Sequence, residues 1–388
     1  MTPRTMSIFL QHLGNRKPQY GYVSGPSSLK GQSGFTLVEL MVSIVLGLVL
    51  IAGVLNVFVT NRESFRTNEN IARMQEDARI AFDFMARDLR EAGTNPCGTP
   101  LVANVIRASS AIPWWADWNL GTIQGYDAGQ DMTAMVAIGT GNADRAAGTD
   151  AVLVIRAAQD GKIVSAHDTS THDITVDSVT DLDPKDVLIA CDMNSAAIFQ
   201  IETVSPSTKN INHAQDAGNY NCSGDLGYPT PSDCPTTPPA VKQFTSGGVV
   251  VKLLSTFWYV GVNSAGKKSL YRTKIIRKSV GGAMIATTER EEILDGVSDM
   301  QIEYLTKNKT ANTLATSWIP ANDPTVPANP NPIFSTANGG WTKDNVEQAV
   351  AARITLTLQS DEKVGENHVT IERKLIHVVG FRSRDLLY

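Results

Sequence analysis

At 388 residues, 42% hydrophobic and 19% charged, the chain holds enough apolar material for one large or two ordinary domains and is too apolar for general disorder. Its formal charge is −5, and because residues 1–34 hold Arg4, Arg16, Lys17 and Lys30 with no acid, the remainder carries −9. An acidic body argues against general nucleic-acid binding, which depends on cations that neutralise phosphates.

In chain order, the basic segment is followed by the only run able to span a bilayer, Phe35 to Val59, since a membrane helix needs about 20 predominantly apolar residues. The run ends at Thr60-Asn61-Arg62, so the positive-inside rule keeps the N-terminus cytoplasmic and sends the rest of the chain outward. A secretory signal would place its small residues after the apolar stretch. Here Gly31, Ser33 and Gly34 precede it, so a cut at that border leaves the helix on the mature protein. The run also holds one acid, Glu39, although an unpaired carboxylate in lipid costs at least a few kcal/mol.

These residues carry a resemblance. Gly34-Phe35-Thr36-Leu37-Val38-Glu39-Leu40 resembles the processing motif of the type IV prepilin family, which includes pilins and the pseudopilins of type II secretion. The resemblance implies that prepilin peptidase cuts between Gly34 and Phe35 and methylates the new amino terminus of Phe35. It also implies that Glu39 pairs with the terminal amine of a neighbouring subunit, which removes two membrane penalties together. Residues 1–34 would be the cleaved leader. They are longer than the family's usual leaders, and Met6 is an alternative start that leaves Lys30 and the cut site unchanged.

Beyond Arg62, Ile71, Met74, Ala78, Phe82, Met85 and Leu89 recur at helical spacing, with Arg73, Glu76, Asp77, Arg79, Asp83, Arg87, Asp88 and Arg90 mostly on the other faces. No proline interrupts Phe35 to Asn95, and Gly93 followed by Pro96 supplies a stop. The pattern predicts one long helix over residues 35–93, a transmembrane half (35–59) and an amphipathic half. The stretch Ala78 to Leu89 is expected to pack on the protein's own head. Gly47 and Gly53 each cost this helix about 1 kcal/mol against alanine.

After residue 94 the pattern turns to short β-type runs: Ala151 to Ala157, Val187 to Ala190, Gly248 to Leu254, Ser255 to Val262, Ser269 to Arg277, Met300 to Leu305, Arg353 to Leu358 and His368 to Val379. The fold class is α+β, pilin-like: the long N-terminal helix packed on a largely antiparallel β-sheet head over residues 94–388. The proline-rich stretches Tyr228 to Ala240 and Ile319 to Phe334 cannot be central strands, and a subdivision of the head is placed near residue 240. Cys97, Cys191, Cys222 and Cys234 all lie on the outward side, which favours two disulfides with three connectivities open. Cys222 with Cys234 is the expected pair, because they bracket Gly224, Gly227, Pro229 and Pro231.

Three head segments extend the resemblance toward the PilW-type minor pilins. Gly148 to Arg156 resembles their first strong strand, and Leu294 to Tyr304 with Val346 to Leu356 resembles a C-terminal region shared with the J-type pseudopilin. The third is Arg373 to Arg384.

Other constellations make no catalytic case. Trp114, Trp115 and Trp118 either form an exposed stacking surface or are buried to anchor the head against the helix, with burial of at least one favoured. His167, Asp168, His172 and Asp173 read as a solvated polar turn, with no HExxH spacing. No GxSxG elbow occurs, Gly139-Thr140-Gly141-Asn142 lacks the ending of a phosphate loop, and Asp181 to Asp186 lacks the spacing of a calcium loop. No catalytic, cofactor-binding or metal site is therefore assigned. The expected function is that of a minor pilin in the priming or tip complex of a type IV pilus. Its expected partners are prepilin peptidase, the inner membrane and other minor and major pilins. Its expected location is the inner membrane with a periplasmic head, then the surface pilus. The alternatives are a J-type pseudopilin of type II secretion and, from another class, a membrane-tethered hydrolase.

Overall fold

The computed structural model describes residues 34–107, 111–118, 121–130, 135–215, 220–234, 236–281, 283–308, 310–321, 347–363 and 369–382. The expected leader up to Ser33, most of the second proline-rich stretch, Val346, His368 and the tail from Ser383 lie outside the described residues. The chain divides into two units, Met1–Asn61 and Arg62–Tyr388.

One α-helix, α1 (Leu37–Glu91), runs without interruption across that division. Its first-unit portion is long and apolar enough to cross a membrane, and its side chains are exposed throughout.

Among its described residues the second unit holds two sheets. The first has twelve strands: β1 (Val102–Asn104), β2 (Ile123–Tyr126), β3 (Ala151–Ala157), β4 (Lys162–Asp168), β5 (Asp173–Val176), β6 (Val187–Cys191), β7 (Ala196–Gln200), β8 (Thr203–Ser205), β9 (Asn210–Asn212), β10 (Val249–Val262), β11 (Lys268–Val280) and β12 (Ala283–Asp295). The second has five: β13 (Val297–Asn308), β14 (Thr313–Leu314), β15 (Ile319–Pro320), β16 (Glu347–Gln359) and β17 (Glu372–Gly380). All pairings are antiparallel except β1 with β7.

β10 is the axis of the larger sheet. It replaces the two separate runs expected over residues 248–262 with one strand. It pairs β6 over Val249–Lys252, β3 over Leu253–Tyr259 and β11 over Trp258–Val262. Strands from both sides of residue 240 thus share one ladder.

Because side chains alternate across a strand, β3 and β10 sort their residues between two cores. Val152, Val154, Trp258 and Val260 face a cluster that includes Met74, Ala78, Phe82, Met85 and Leu89 of α1, with Met300, Ile302, Ile354 and Leu356 of the second sheet. Leu153, Ile155, Phe257 and Tyr259 face a separate cluster with Trp115, Tyr126 and Ile189. Double-sided burial explains why Ala151–Ala157 reads as an unbroken apolar run. The helical stripe is the one read from spacing, and full burial of Met85 and Leu89 contributes on the order of 1.5–3 kcal/mol each. Trp115 is buried in the second cluster, so it does not anchor α1; Trp114 and Trp118 are half-buried beside it.

α1 ends where Gly93 adopts φ 72°, and the Gly93 N–H donates to the Ile155 carbonyl of β3 at 2.9 Å. One turn earlier Asp88, grouped by pattern with solvent-facing charges, is instead buried. Its carboxylate accepts from Arg156 Nε (3.1 Å) and Nη2 (3.0 Å) on β3 and from Trp258 Nε1 (2.9 Å) on β10. Arg156 Nη1 also lies 2.8 Å from Glu91 Oε2. The reason is stereochemical: Arg156 and Trp258 project from the helix-facing side of β3 and β10, and a carboxylate there satisfies both donors. Disulfides join Cys97 to Cys191, tying the segment after α1 to β6, and Cys222 to Cys234, closing the first proline-rich loop.

Candidate processing and assembly site

The chain enters α1 through Thr36-Leu37-Val38-Glu39, a Thr-x-x-Glu order that satisfies helix-terminal donors reciprocally. Thr36 Oγ1 accepts from the Glu39 N–H at 3.2 Å, and Glu39 Oε2 accepts from the Thr36 N–H and hydroxyl, each at 3.3 Å. The first turn closes with Leu40 N–H to Thr36 O at 3.1 Å, and Ser43 Oγ donates to Glu39 O at 2.7 Å. This capping box is written in the sequence by its spacing alone. It went unread because the same two residues belong to the processing motif.

Glu39 therefore has local partners in the isolated chain, through long and exposed bonds. Hydrogen bonds of this kind are of modest strength, about 0.5–1.5 kcal/mol each. Acidic character in the first turn also suits the positive end of the helix dipole.

Gly34 and Phe35 precede the helix and are exposed, Phe35 by 85%. A Cβ added at Gly34 would meet nothing within 4 Å, and the residue does not take a positive φ. The same open space surrounds Gly47 and Gly53 inside α1. Contrast Gly125, where a Cβ would fall 2.4 Å from the Tyr304 hydroxyl. Among the described residues no contact asks for glycine at 34, 47 or 53, yet the two helical ones cost α1 about 1 kcal/mol each.

The other marked residues lie elsewhere. Asp168 ends β4 and the turn to β5 holds Ser170 and His172, but His167, one residue earlier in β4, is buried, which corrects the reading of this segment as wholly solvated. His167 Nδ1 accepts from the Phe244 N–H at 3.0 Å, which puts its proton on Nε2, 3.0 Å from Nε2 of the fully buried His213. Burial pushes the His167 imidazole down to about 4 and that of His213 to about 3, so both are neutral near pH 7. Among the described residues, no cluster of three or more His, Cys, Asp or Glu is arranged to hold a metal. Asp181 to Asp186 forms a turn in which Asp186 pairs with Lys252 and Arg277.

Residues 29–55 match the prokaryotic N-terminal methylation motif, which covers Gly34, Phe35 and Glu39. Residues 257–379 match the family described as Type IV Pilus-assembly protein W, from the second half of β10 to β17. No curated protein and no solved structure gives a significant match.

Proposed function

We propose that this chain, a PilW-like type IV pilin by its two family matches, works as a minor pilin in the priming or tip complex that starts pilus assembly. Residues 1–34 are the leader, 35–93 the helix that anchors in the inner membrane and later packs in the filament, and 94–388 the head. Prepilin peptidase cuts between Gly34 and Phe35 and methylates the Phe35 amine. Glu39 then exchanges its weak bonds to Thr36 for the amine of a neighbouring subunit, and helix contacts with other minor and major pilins replace lipid contacts. Pilin-type families are structural, and no turnover is assigned to this member.

The observation that carries this reading is the first-unit helix itself: exposed at every position but the half-buried Gly47, apolar, with one carboxylate five residues after a glycine that no contact among the described residues demands. Small residues at 47 and 53 suit close helix approach in a non-aqueous assembly. N-terminal sequencing of this protein from sheared surface filaments tests cleavage, methylation and location together. N-methyl-phenylalanine at Phe35 is expected; a chain that still begins upstream of Phe35 refutes the proposal. Blocked export of secreted enzymes on deletion, with pili intact, would assign the chain to type II secretion instead.

A further inference from the structure

The five-stranded sheet ends at β17, which pairs with β16 along its whole length, from Glu372 against Gln359 to Gly380 against Ala351. Its other edge has no strand partner among the described residues. Exposed edges invite added strands, and proteins ordinarily blunt them with charge, proline or a bulge. β12, an edge of the larger sheet, follows that rule with Glu289, Arg290, Glu291 and Glu292. β17 does not: its charges stop at Lys374, and Leu375 to Gly380 carries neither proline nor formal charge, with no register shift against β16.

The side chains of β17 divide by face. Leu375, His377 and Val379 point inward, with His377 stacked on Phe82 of α1 at 5.2 Å and Val379 buried. Lys374, Ile376 and Val378 point outward; Ile376 is 65% and Val378 52% exposed. The row of Ile376 is otherwise polar, and that of Val378 is polar as far as Glu303, beyond which it ends on Pro320. Ile376 lies opposite Thr355, itself opposite Gln301; Val378 lies opposite Arg353, itself opposite Glu303. Arg353 is already committed to Glu303 and to the Trp318 ring. Two β-branched apolar side chains thus stand at the rim of the sheet next to polar neighbours, beside a row of backbone groups with no strand partner among the described residues. At the start of the same strand, Arg373 and Lys374 make no ion pair among the described residues.

We propose that β17 is a docking edge for an extended segment of another polypeptide, which adds a strand with aliphatic side chains over Ile376 and Val378 and a carboxylate opposite Lys374. Backbone pairing supplies affinity in such additions, while alternate side chains supply the choice of partner. Charge complementarity selects this occupant: Arg373 and Lys374 outnumber Glu372 at that end of the edge, so a strand with a carboxylate opposite Lys374 is favoured there and one with a cation opposed. The inference does not depend on processing at Gly34.

The test uses the full chain in detergent micelles and two peptides, acetyl-Thr-Val-Thr-Ile-Thr-Glu-Thr-amide and the same sequence with Lys for Glu. Binding is followed by competition with a fluorescent copy and by amide hydrogen exchange. The acidic peptide should bind at least tenfold more tightly than the basic one and slow exchange within residues 374–380. Ile376→Lys should remove at least tenfold of that binding, and because the side chain is exposed its melting temperature should stay within about 2 °C of the parent. Equal binding by both peptides, unchanged binding by Ile376→Lys, or protection confined to other strands would overturn the proposal. Self-association through β17 without peptide would overturn it too, by giving the edge to a second copy.

Discussion

Replacing Asp88 with alanine removes the acceptor shared by Arg156 Nε, Arg156 Nη2 and Trp258 Nε1. The Arg156 side chain is 11% exposed and keeps only Glu91, while the buried indole N–H loses its partner. Removing one member of a buried ion pair costs roughly 3–5 kcal/mol, and an orphaned buried donor about 1–3 kcal/mol, two ranges that overlap in this one site. Because Glu91 remains, about 3–4 kcal/mol is expected. That is a large part of the roughly 5–15 kcal/mol that holds a typical fold. At about 2–3 °C per kcal/mol for a unit of this size, the melting temperature should fall by roughly 10 °C. Thermal and urea unfolding of the full chain in detergent measure it. Asp88→Leu with Arg156→Met should recover most of the loss, because replacing a buried pair with apolar groups of similar volume is often neutral. A loss below about 1 kcal/mol for Asp88→Ala, or a double variant as unstable as the sum of the singles, would refute the clamp.

Glu39→Ala should leave the chain processed but poorly incorporated, measured as cleaved protein in membrane against sheared filament fractions; normal incorporation would exclude the amine pairing. Acid should destabilise the head through the histidine pair. Their folded values, about 4 and about 3, lie below the ordinary imidazole value near 6.5, so the unfolded chain binds more protons and stability falls as pH drops from about 6.5 toward 4. Asp150 acts in the opposite sense, because burial raises its carboxyl to about 7 and the folded state then holds the extra proton below that value. In urea melts between pH 4 and 7, His213→Gln should flatten the acid limb and Asp150→Asn should steepen it; identical limbs would reject both assignments. Opening the Cys97–Cys191 link, which spans 94 residues, should cost about 2 kcal/mol more than opening Cys222–Cys234, which spans 12, by loop-closure entropy. Unfolding of the two serine double variants checks the order.

Much of the framework was legible in the residues. The α1 stripe, its stop at Gly93 and the Ala151–Ala157 strand follow from periods of 3.6 and from an unbroken apolar run. The first-unit helix and its acid stand out because hydrocarbon tolerates so few carboxylates. What escaped did so for physical reasons. Asp88 and Arg156 are charged, and a charge is read as solvated until its partner from a distant strand is seen. β12 was hidden by Thr287 to Glu292, polar residues that suit a strand whose rim faces water. His167 and His213 are 46 residues apart, and nothing local announces that they share a hydrogen bond. Short strands such as β5, β8 and β9 draw their order from neighbours rather than from their own composition.

The two partners of Asp88 stand on adjacent strands, with Leu254 of β10 opposite Arg156 of β3 and Trp258 opposite Val152. Tension applied to α1 at Asp88 therefore enters the larger sheet through β3 and β10 at once. Seven consecutive residue pairs join those two strands to each other, so the pull is divided between strands already held together by their own ladder. A load divided in that way strains two strands at a time, where a single attachment would put all of it on one.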